Sequence, residues 1–202
     1  MALTQIEVKD WQKIAHEYLD KAGIVLTTEE QDTIEINDLG LGEYEQTGVA
    51  LVVYFNDEKY CAKELVLMPR QTCPQHIHPP IPEFDYIGKQ ETFRCRWGVV
   101  YLYIKGETTK RPKAKPPEHR KEHYTVWHEI ILKPGDQFTI PPLTWHWFQG
   151  GPQGAVVSEF STRSVDAKDL FTDPEIQRKP LIINSITDLA HDVIFRRYLY
   201  LY

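Results

Sequence analysis

Cysteine is scarce in this chain: Cys61, Cys73 and Cys95 are the only three in 202 residues, and no two form a C-x-x-C pair. An odd, scattered set excludes a disulfide framework and a thiolate zinc site, and reads as the reduced thiols of a cytosolic protein. No apolar run approaches the ~18 residues of a membrane span. Residues 1–10 lack the basic start and apolar core of a secretory signal, so a cytoplasmic protein without a membrane partner is expected. Positive charge is also in short supply. The 23 Lys and Arg against 29 Asp and Glu leave a net charge of −6, which argues against nucleic acid as the main partner, because no basic surplus exists to displace counterions. Internal repeats and linker-like stretches are absent too. At 202 residues with 42% hydrophobic side chains, one domain over 1–202 with a proper core is expected.

What is present divides into a helix, many short strands and a tail. Thr4 with Glu7 three residues later is a capping box, and Ile6, Trp11, Ile14, Tyr18 and Leu19 recur at helical spacing, predicting a helix over 4–22 that Gly23 stops. From about 33 to 165 the pattern is extended. Val49 to Phe55 is a continuous apolar run, expected to be buried on both faces. Residues 60–68, 91–104, 124–132, 137–140 and 155–162 are further strand candidates, with Lys133-Pro-Gly-Asp and Gly150-Gly-Pro as turns. Such a series predicts an antiparallel sandwich or barrel. An extension over 173–202 carries a helix-like stretch near 185–197 and ends in Tyr-Leu-Tyr-Leu-Tyr, an alternation that suits an edge strand or a dimer contact. Residues 105–123 are rich in Lys, Arg and Pro; they read as a solvated loop, or as a cationic lid over a phosphorylated ligand.

The chemistry gathers around His76, His78, Glu91 and His146. Two histidines at i and i+2 of an extended segment project to the same side. A carboxylate on the next strand and an imidazole from a later hairpin would complete an N₃O shell, leaving positions on a Mn²⁺- or Fe²⁺-like ion for two substrate oxygens. Along 89–103 the odd positions (Lys89, Glu91, Phe93, Cys95, Trp97) form the apolar, inward face, yet that face opens with two charges. Buried charges cost several kcal/mol each unless paired or metal-bound. A Lys89–Glu91 ion pair at a barrel mouth would account for them; so would Glu91 as metal ligand with Lys89 as pocket cation, the preferred reading. His76 and His78 could equally be loop histidines before Pro79-Pro80, but Gly135-Asp-Gln-Phe-Thr-Ile-Pro-Pro-Leu-Thr-Trp-His146 is a turn, a strand and a proline turn delivering a histidine. Lys63 and Arg94 are further candidates for the pocket; His123 and His128 lack motif spacing.

These pieces resemble the two metal motifs of the cupin family: H-x-H, then Glu, then Gly98; and Gly135, Pro141 and His146. The resemblance implies an all-β fold, a jelly-roll type antiparallel β-barrel, here with an N-terminal helix and a C-terminal helical extension. Two departures stand out. The insertion 79–90 between His78 and Glu91 is longer than in general cupins and would rim the pocket, and Leu143 takes the place of a motif glycine. A closer resemblance runs through Lys63-Glu-Leu-Val-Leu, Gln71-Thr-Cys-Pro-Gln-His-Ile-His-Pro-Pro, Gly88-Lys-Gln-Glu-Thr-Phe-Arg-Cys-Arg, His123-Tyr-Thr-Val-Trp-His-Glu, His146-Trp-Phe-Gln and Phe171-Thr-Asp-Pro, which are similar to bacterial D-lyxose isomerases of the cupin type.

That resemblance implies a Mn²⁺-dependent aldose–ketose isomerase, with Fe²⁺, Co²⁺ or Zn²⁺ as other fitting ions. Such enzymes interconvert D-lyxose with D-xylulose and often D-mannose with D-fructose. It implies a small-molecule sugar partner and, because cupins are frequently dimers, a homodimer. The reaction requires a proton to leave C2 and return to C1 through a cis-enediol. Glu159, sharing a strand face with Val157 and Ser161, is the candidate base; the opposing expectation is an outward Glu159 with Phe160 inside. Lys89 would polarise a substrate oxygen. Tyr101, Tyr124, Trp147 and Phe148 are candidates to line the sugar site, though aromatic residues in a small barrel are more often core. Rival readings are an isomerase of phosphorylated sugars, an Fe(II) dioxygenase on the same ligands, and a metal-stabilised binding protein without turnover.

Overall fold

The computed structural model describes residues 2–179 and 182–184. Strand β1 (Leu3–Thr4) leads directly into helix α1 (Gln5–Lys21). Thr4 caps it as its sequence requires: the hydroxyl accepts from the Glu7 amide at 3.2 Å and the Glu7 carboxylate accepts from the Thr4 amide at 2.8 Å. Ala15 and Leu19 are fully buried, while Val8, Trp11, Ile14 and Tyr18 pack beside them against Ala50, Val52, Val66 and Val156 of the sheet. Burying Leu19 alone contributes about 2 kcal/mol. The short helix α2 (Thr28–Asp32), capped by Thr27 and Glu30, completes the helical layer.

The rest is sheet: β2 (Glu35–Asn37), β3 (Val49–Asn56), β4 (Cys61–Leu67), β5 (Thr72–Ile77), β6 (Glu91–Ile104), β7 (His128–Leu132), β8 (Gln137–Ile140), β9 (His146–Ser161) and β10 (Leu170–Phe171). Their order is β10-β5-β9-β4-β3-β2, with β6 pairing β7, β8 and β9. Every pairing among these strands is antiparallel. The inner faces enclose one apolar core that includes Leu51, Leu65, Phe93, Leu102, Ile140, Phe148 and Val157. This is the all-β, antiparallel architecture the motifs imply. Strand β11 (Ile182–Ile183) pairs in parallel with β1. The helix expected near 185–197 and the Tyr-Leu alternation at the end lie outside the described residues.

Several local expectations change. Only the first half of β3 is buried on both faces; Val53, Tyr54 and Phe55 are exposed. The Gly150-Gly-Pro stretch is not a turn but part of β9, the longest strand. Here β9 passes from pairing with β5 to pairing with β4, and the backbones crowd: a Cβ on Gly150 would stand 2.8 Å from the Met68 carbonyl oxygen. Residues 124–127 stay outside β7. Leu143, at the motif glycine position, has φ 59°, the left-handed region that glycine enters without steric cost.

Candidate active site and metal centre

Strand pairing brings the candidate ligands to one end of the core. His76 of β5 stands opposite His146 at the start of β9, and Glu91 opens β6 opposite Ser161 of β9 and Ile140 of β8. The ligand atoms of His76, His78 and His146 lie within 4.8 Å of one another. Glu91 Oε1 is 2.9 Å from His146 Nε2 and 3.4 Å from His78 Nε2. All four side chains are buried.

The hydrogen-bond pattern tests whether a metal fits. Each imidazole has its Nδ1 engaged: His76 with the Pro74 carbonyl at 2.8 Å, His146 with the Thr144 carbonyl at 2.9 Å, and His78 with Asp169 Oδ1 at 2.6 Å. A ring that donates from Nδ1 presents a lone pair at Nε2, the tautomer a metal needs. His78 Nε2, His146 Nε2 and Glu91 Oε1 are buried and have no hydrogen-bond partner. An unsatisfied buried polar atom costs about 1–3 kcal/mol, so three converging ones call for a shared occupant. Donors ~2.1 Å from an ion and at right angles stand about 3 Å apart, close to the two Glu91 separations. The residues fit a divalent ion with N₃O donors.

Charge in the pocket is tightly paired. Burial pushes His76 well below the usual imidazole range. Burial also opposes the charged form of His78, but Glu91 and Asp169 outweigh it and lift the ring to about 9, so at neutral pH a metal ion would bind Nε2 by displacing its proton. For Glu91, burial works against the anion and is overcome by Lys89 and the two neighbouring histidines, which hold it well below the carboxylate range. Lys89 keeps its proton despite burial because Glu159 and Glu91 flank it. Its Nζ lies 2.8 Å from Glu91 Oε2 and 3.0 Å from Glu159 Oε1. Both the ion pair with Glu91 and the placement beside the histidines are therefore present together.

Glu159 faces inward, opposite Phe93 and Lys63, and is 3% exposed, whereas Phe160 points out at 53%. Lys63, a candidate from its position alone, stands 3.5 Å from Glu159 Oε1, 3.1 Å from Ser164 Oγ and 3.3 Å from Asp166 Oδ2. The cavity that holds His76, His78, Lys89, Glu91, Glu159 and Phe148 is also lined by Asp166, Asp169, Phe171 and Arg178, with Arg178 3.0 Å from Asp166. These last four escaped the sequence reading, although Phe171 belongs to the Phe-Thr-Asp-Pro block. They sit in a segment with no strand periodicity to say which way they point.

The other aromatic candidates go elsewhere. Tyr124 and Trp147 join Tyr103 in a separate cluster, with Tyr101 and Trp127 packed against it. Trp147 stacks on Tyr103 with centroids 4.0 Å apart, and none of Tyr101, Tyr124 and Trp147 lines the cavity. Trp97, expected to face inward, packs instead on the outer side against Tyr18, and the cause is a register shift in β6 between Cys95 and Trp97. Before it, odd residues such as Phe93 face the core; after it, Val100 and Leu102 do, so Tyr101 and Tyr103 point out. Phe148, opposite Leu102, faces in, and Trp147, opposite Tyr103, faces out. Arg94 is exposed and bonds Gln137. His128 bonds the Glu107 carbonyl and His123 lies 3.8 Å from Asp173. No Lys or Arg of residues 105–123 lines the cavity; Arg120 instead ties Glu43, Asp173 and Glu175 together, which leaves the phosphate-lid expectation without support.

A family model for D-lyxose isomerase matches residues 5–190. The chain belongs to the D-lyxose isomerase family. A D-lyxose ketol-isomerase of Thermofilum sp. (strain ex4484_79) is 56% identical over 181 residues, covering 90% of this chain and 99% of that one. A D-lyxose/D-mannose isomerase of Thermosediminibacter oceani is 56% identical over 180 residues, covering 89% and 98%. This chain is thus an enzyme of the sugar aldose–ketose isomerase class. Among solved structures, the L-ribose isomerase of Acinetobacter sp. DL28 in complex with L-ribose superposes with a TM-score of 0.76 at 15% identity, covering 90% of this chain and 98% of that chain. The ligand-free L-ribose isomerase of Cellulomonas parahominis gives 0.73 at 16%, covering 90% and 98%. At such identity the likeness speaks for the cupin-like fold alone.

Proposed function

We propose that this enzyme interconverts D-lyxose and D-xylulose, and D-mannose and D-fructose, through a cis-enediol with Mn²⁺ as its metal. The observation that carries the reading is the meeting of two devices in one pocket. Unpartnered donor atoms converge on a metal position, and a buried Lys89–Glu159 pair stands beside them. The names of the two relatives at 56% identity supply the aldoses, D-lyxose and D-mannose, and the ketoses follow from moving the carbonyl from C1 to C2.

His76, His78, Glu91 and His146 would hold the ion, which when bound supplies Lewis acidity toward the carbonyl and hydroxyl oxygens of the sugar. Glu159 takes the C2 proton and returns it to C1, the same carboxylate serving both carbons because they are adjacent, while the O2 hydroxyl proton passes to O1, so that the carbonyl moves from C1 to C2. Lys89 keeps Glu159 in place and donates a hydrogen bond to the oxygen on which charge develops. Phe148 and Phe93 close the inner wall and keep bulk water from the enediol. The aldose and ketose have the same oxidation level overall, so no external reductant is required. The reading includes a homodimer in the cytoplasm; among the described residues no helix is long and apolar enough to cross a membrane, and sedimentation would measure the assembly.

The deciding experiment treats the protein with chelator and follows D-xylulose formation from D-lyxose with and without added Mn²⁺. Product only with metal supports the proposal. A filled metal site with no product from lyxose or mannose overturns it, and oxygen uptake would then test the dioxygenase reading.

A further inference from the structure

The three histidines of the site are not braced alike. His76 and His146 are each bonded at Nδ1 by a backbone carbonyl two residues upstream, Pro74 and Thr144. Their orientation is a local property of their own strands. His78 is different. Its Nδ1 meets Oδ1 of Asp169, a buried carboxylate 91 residues away, at 2.6 Å.

Asp169 is delivered there by strand pairing. It lies between the 3₁₀ turn Asp166–Lys168 and β10. In the ladder of β10 with β5, Leu170 stands opposite Ile77 and Phe171 opposite His76, so one step further along this antiparallel register sets Asp169 opposite His78. The segment is anchored beyond the pairing as well. Thr172 Oγ1 donates to the carbonyls of His123 at 2.6 Å and Gln75 at 3.2 Å, and Asp173 pairs with Arg120 at 2.8 Å.

We propose that Asp169 is a positioning residue of the metal centre, which makes the affinity for the ion depend on the docking of residues 166–173. The inference rests on the metal-dependent reading above. Two physical effects combine. The carboxylate holds His78 in the tautomer and rotamer that aim Nε2 at the neighbourhood of His146 Nε2 and Glu91 Oε1. A charged acceptor on Nδ1–H also enriches the Nε2 lone pair more than a neutral carbonyl does. His78 is therefore the donor whose strength is set from outside its own strand. The ladder, not a flexible loop, fixes the acceptor, so little ordering is left to be done when the ion arrives.

The test measures Mn²⁺ affinity directly, by competition with a chelating dye on metal-stripped protein, for wild type, Asp169→Asn, Asp169→Ala and Asp169→Glu. Losing an outer partner of a metal-bound histidine typically weakens binding about 10–100-fold. Asp169→Asn keeps an acceptor oxygen without its charge and should lose about tenfold; Asp169→Ala should lose more; Asp169→Glu should recover part of the loss. The visible spectrum of Co²⁺-loaded protein should shift in Asp169→Ala, because one donor is no longer aimed. Should Asp169→Ala fail to fold, the isosteric Asp169→Asn decides alone. Wild-type affinity in Asp169→Asn, or tighter binding, overturns the inference and leaves the metal reading standing. A wild-type protein that binds no Mn²⁺ removes the metal reading itself, a result that cannot be confused with the former.

Discussion

Glu91 Oε1 lies 2.9 Å from His146 Nε2, and neither atom has a hydrogen-bond partner although both are buried. Two donor atoms brought so close in the interior at the cost of their hydrogen bonds indicate a site organised for a third body. Replacing Glu91 or His76 by Ala should strip metal and activity together, with kcat/KM falling at least about 100-fold. Metal stoichiometry by atomic absorption checks this; a full complement of metal in the Glu91→Ala protein would remove Glu91 from the shell.

Glu159→Gln should leave metal content and sugar affinity near wild type while lowering kcat by about 10²–10⁴, the range for a lost general base. The amide retains a hydrogen bond to Lys89 but cannot carry a proton between carbons. Solvent-exchange of the C2 proton, followed by NMR, would report the step itself. Near-normal turnover would assign the proton to another group.

Trp147 is fully buried on the outer side of β9 and stacked on Tyr103. Trp147→Ala should destabilise the fold by about 3–5 kcal/mol, whereas Trp147→Phe, which keeps an aromatic ring, should retain the wild-type KM for sugar. Denaturant unfolding and steady-state kinetics separate the two effects. A large rise in KM for Trp147→Phe would return this residue to the sugar site.

Stability should fall with rising pH through one buried carboxyl, Glu64, on the face of β4 opposite to Lys63. Burial lifts Glu64 to about 7, against the opposing pull of the Ser158 hydroxyl and Arg96. Between about pH 4.5 and 7 the native protein holds a proton that the unfolded chain has released, so unfolding becomes easier as pH rises and levels off above the native value. Glu64→Gln keeps an acceptor for Ser158 and removes the titration. It should therefore be more stable than wild type by about 1–3 kcal/mol at pH 8, and no more stable at pH 4. Equal pH profiles for the two proteins in urea unfolding would contradict this.

Local physics made much of the fold legible. The capping box and periodicity of α1, the strands at 61–67, 91–104 and 137–140, and the inward face of Glu91, Phe93 and Cys95 all follow from rules that reach only a few residues. The candidate ligands were legible for the same reason: each sits on a strand or turn whose own pattern aims it. What failed was arithmetic of parity across a bulge. The register shift between Cys95 and Trp97 reverses the faces of β6, and Tyr101 leaves the site because of a single backbone irregularity that no alternation of side chains announces.

By itself, then, the sequence determined which side chains are able to bind a metal and move a proton, because donor chemistry and strand period are properties of the residues and their near neighbours. Only the tertiary structure decided which of them meet. The pairing of β10 with β5 places Asp169 on His78, and the pairing of β4 with β9 sets Lys63 opposite Glu159. Such contacts span a large part of the chain, and they form because the strands must satisfy their backbone hydrogen bonds and bury one common core.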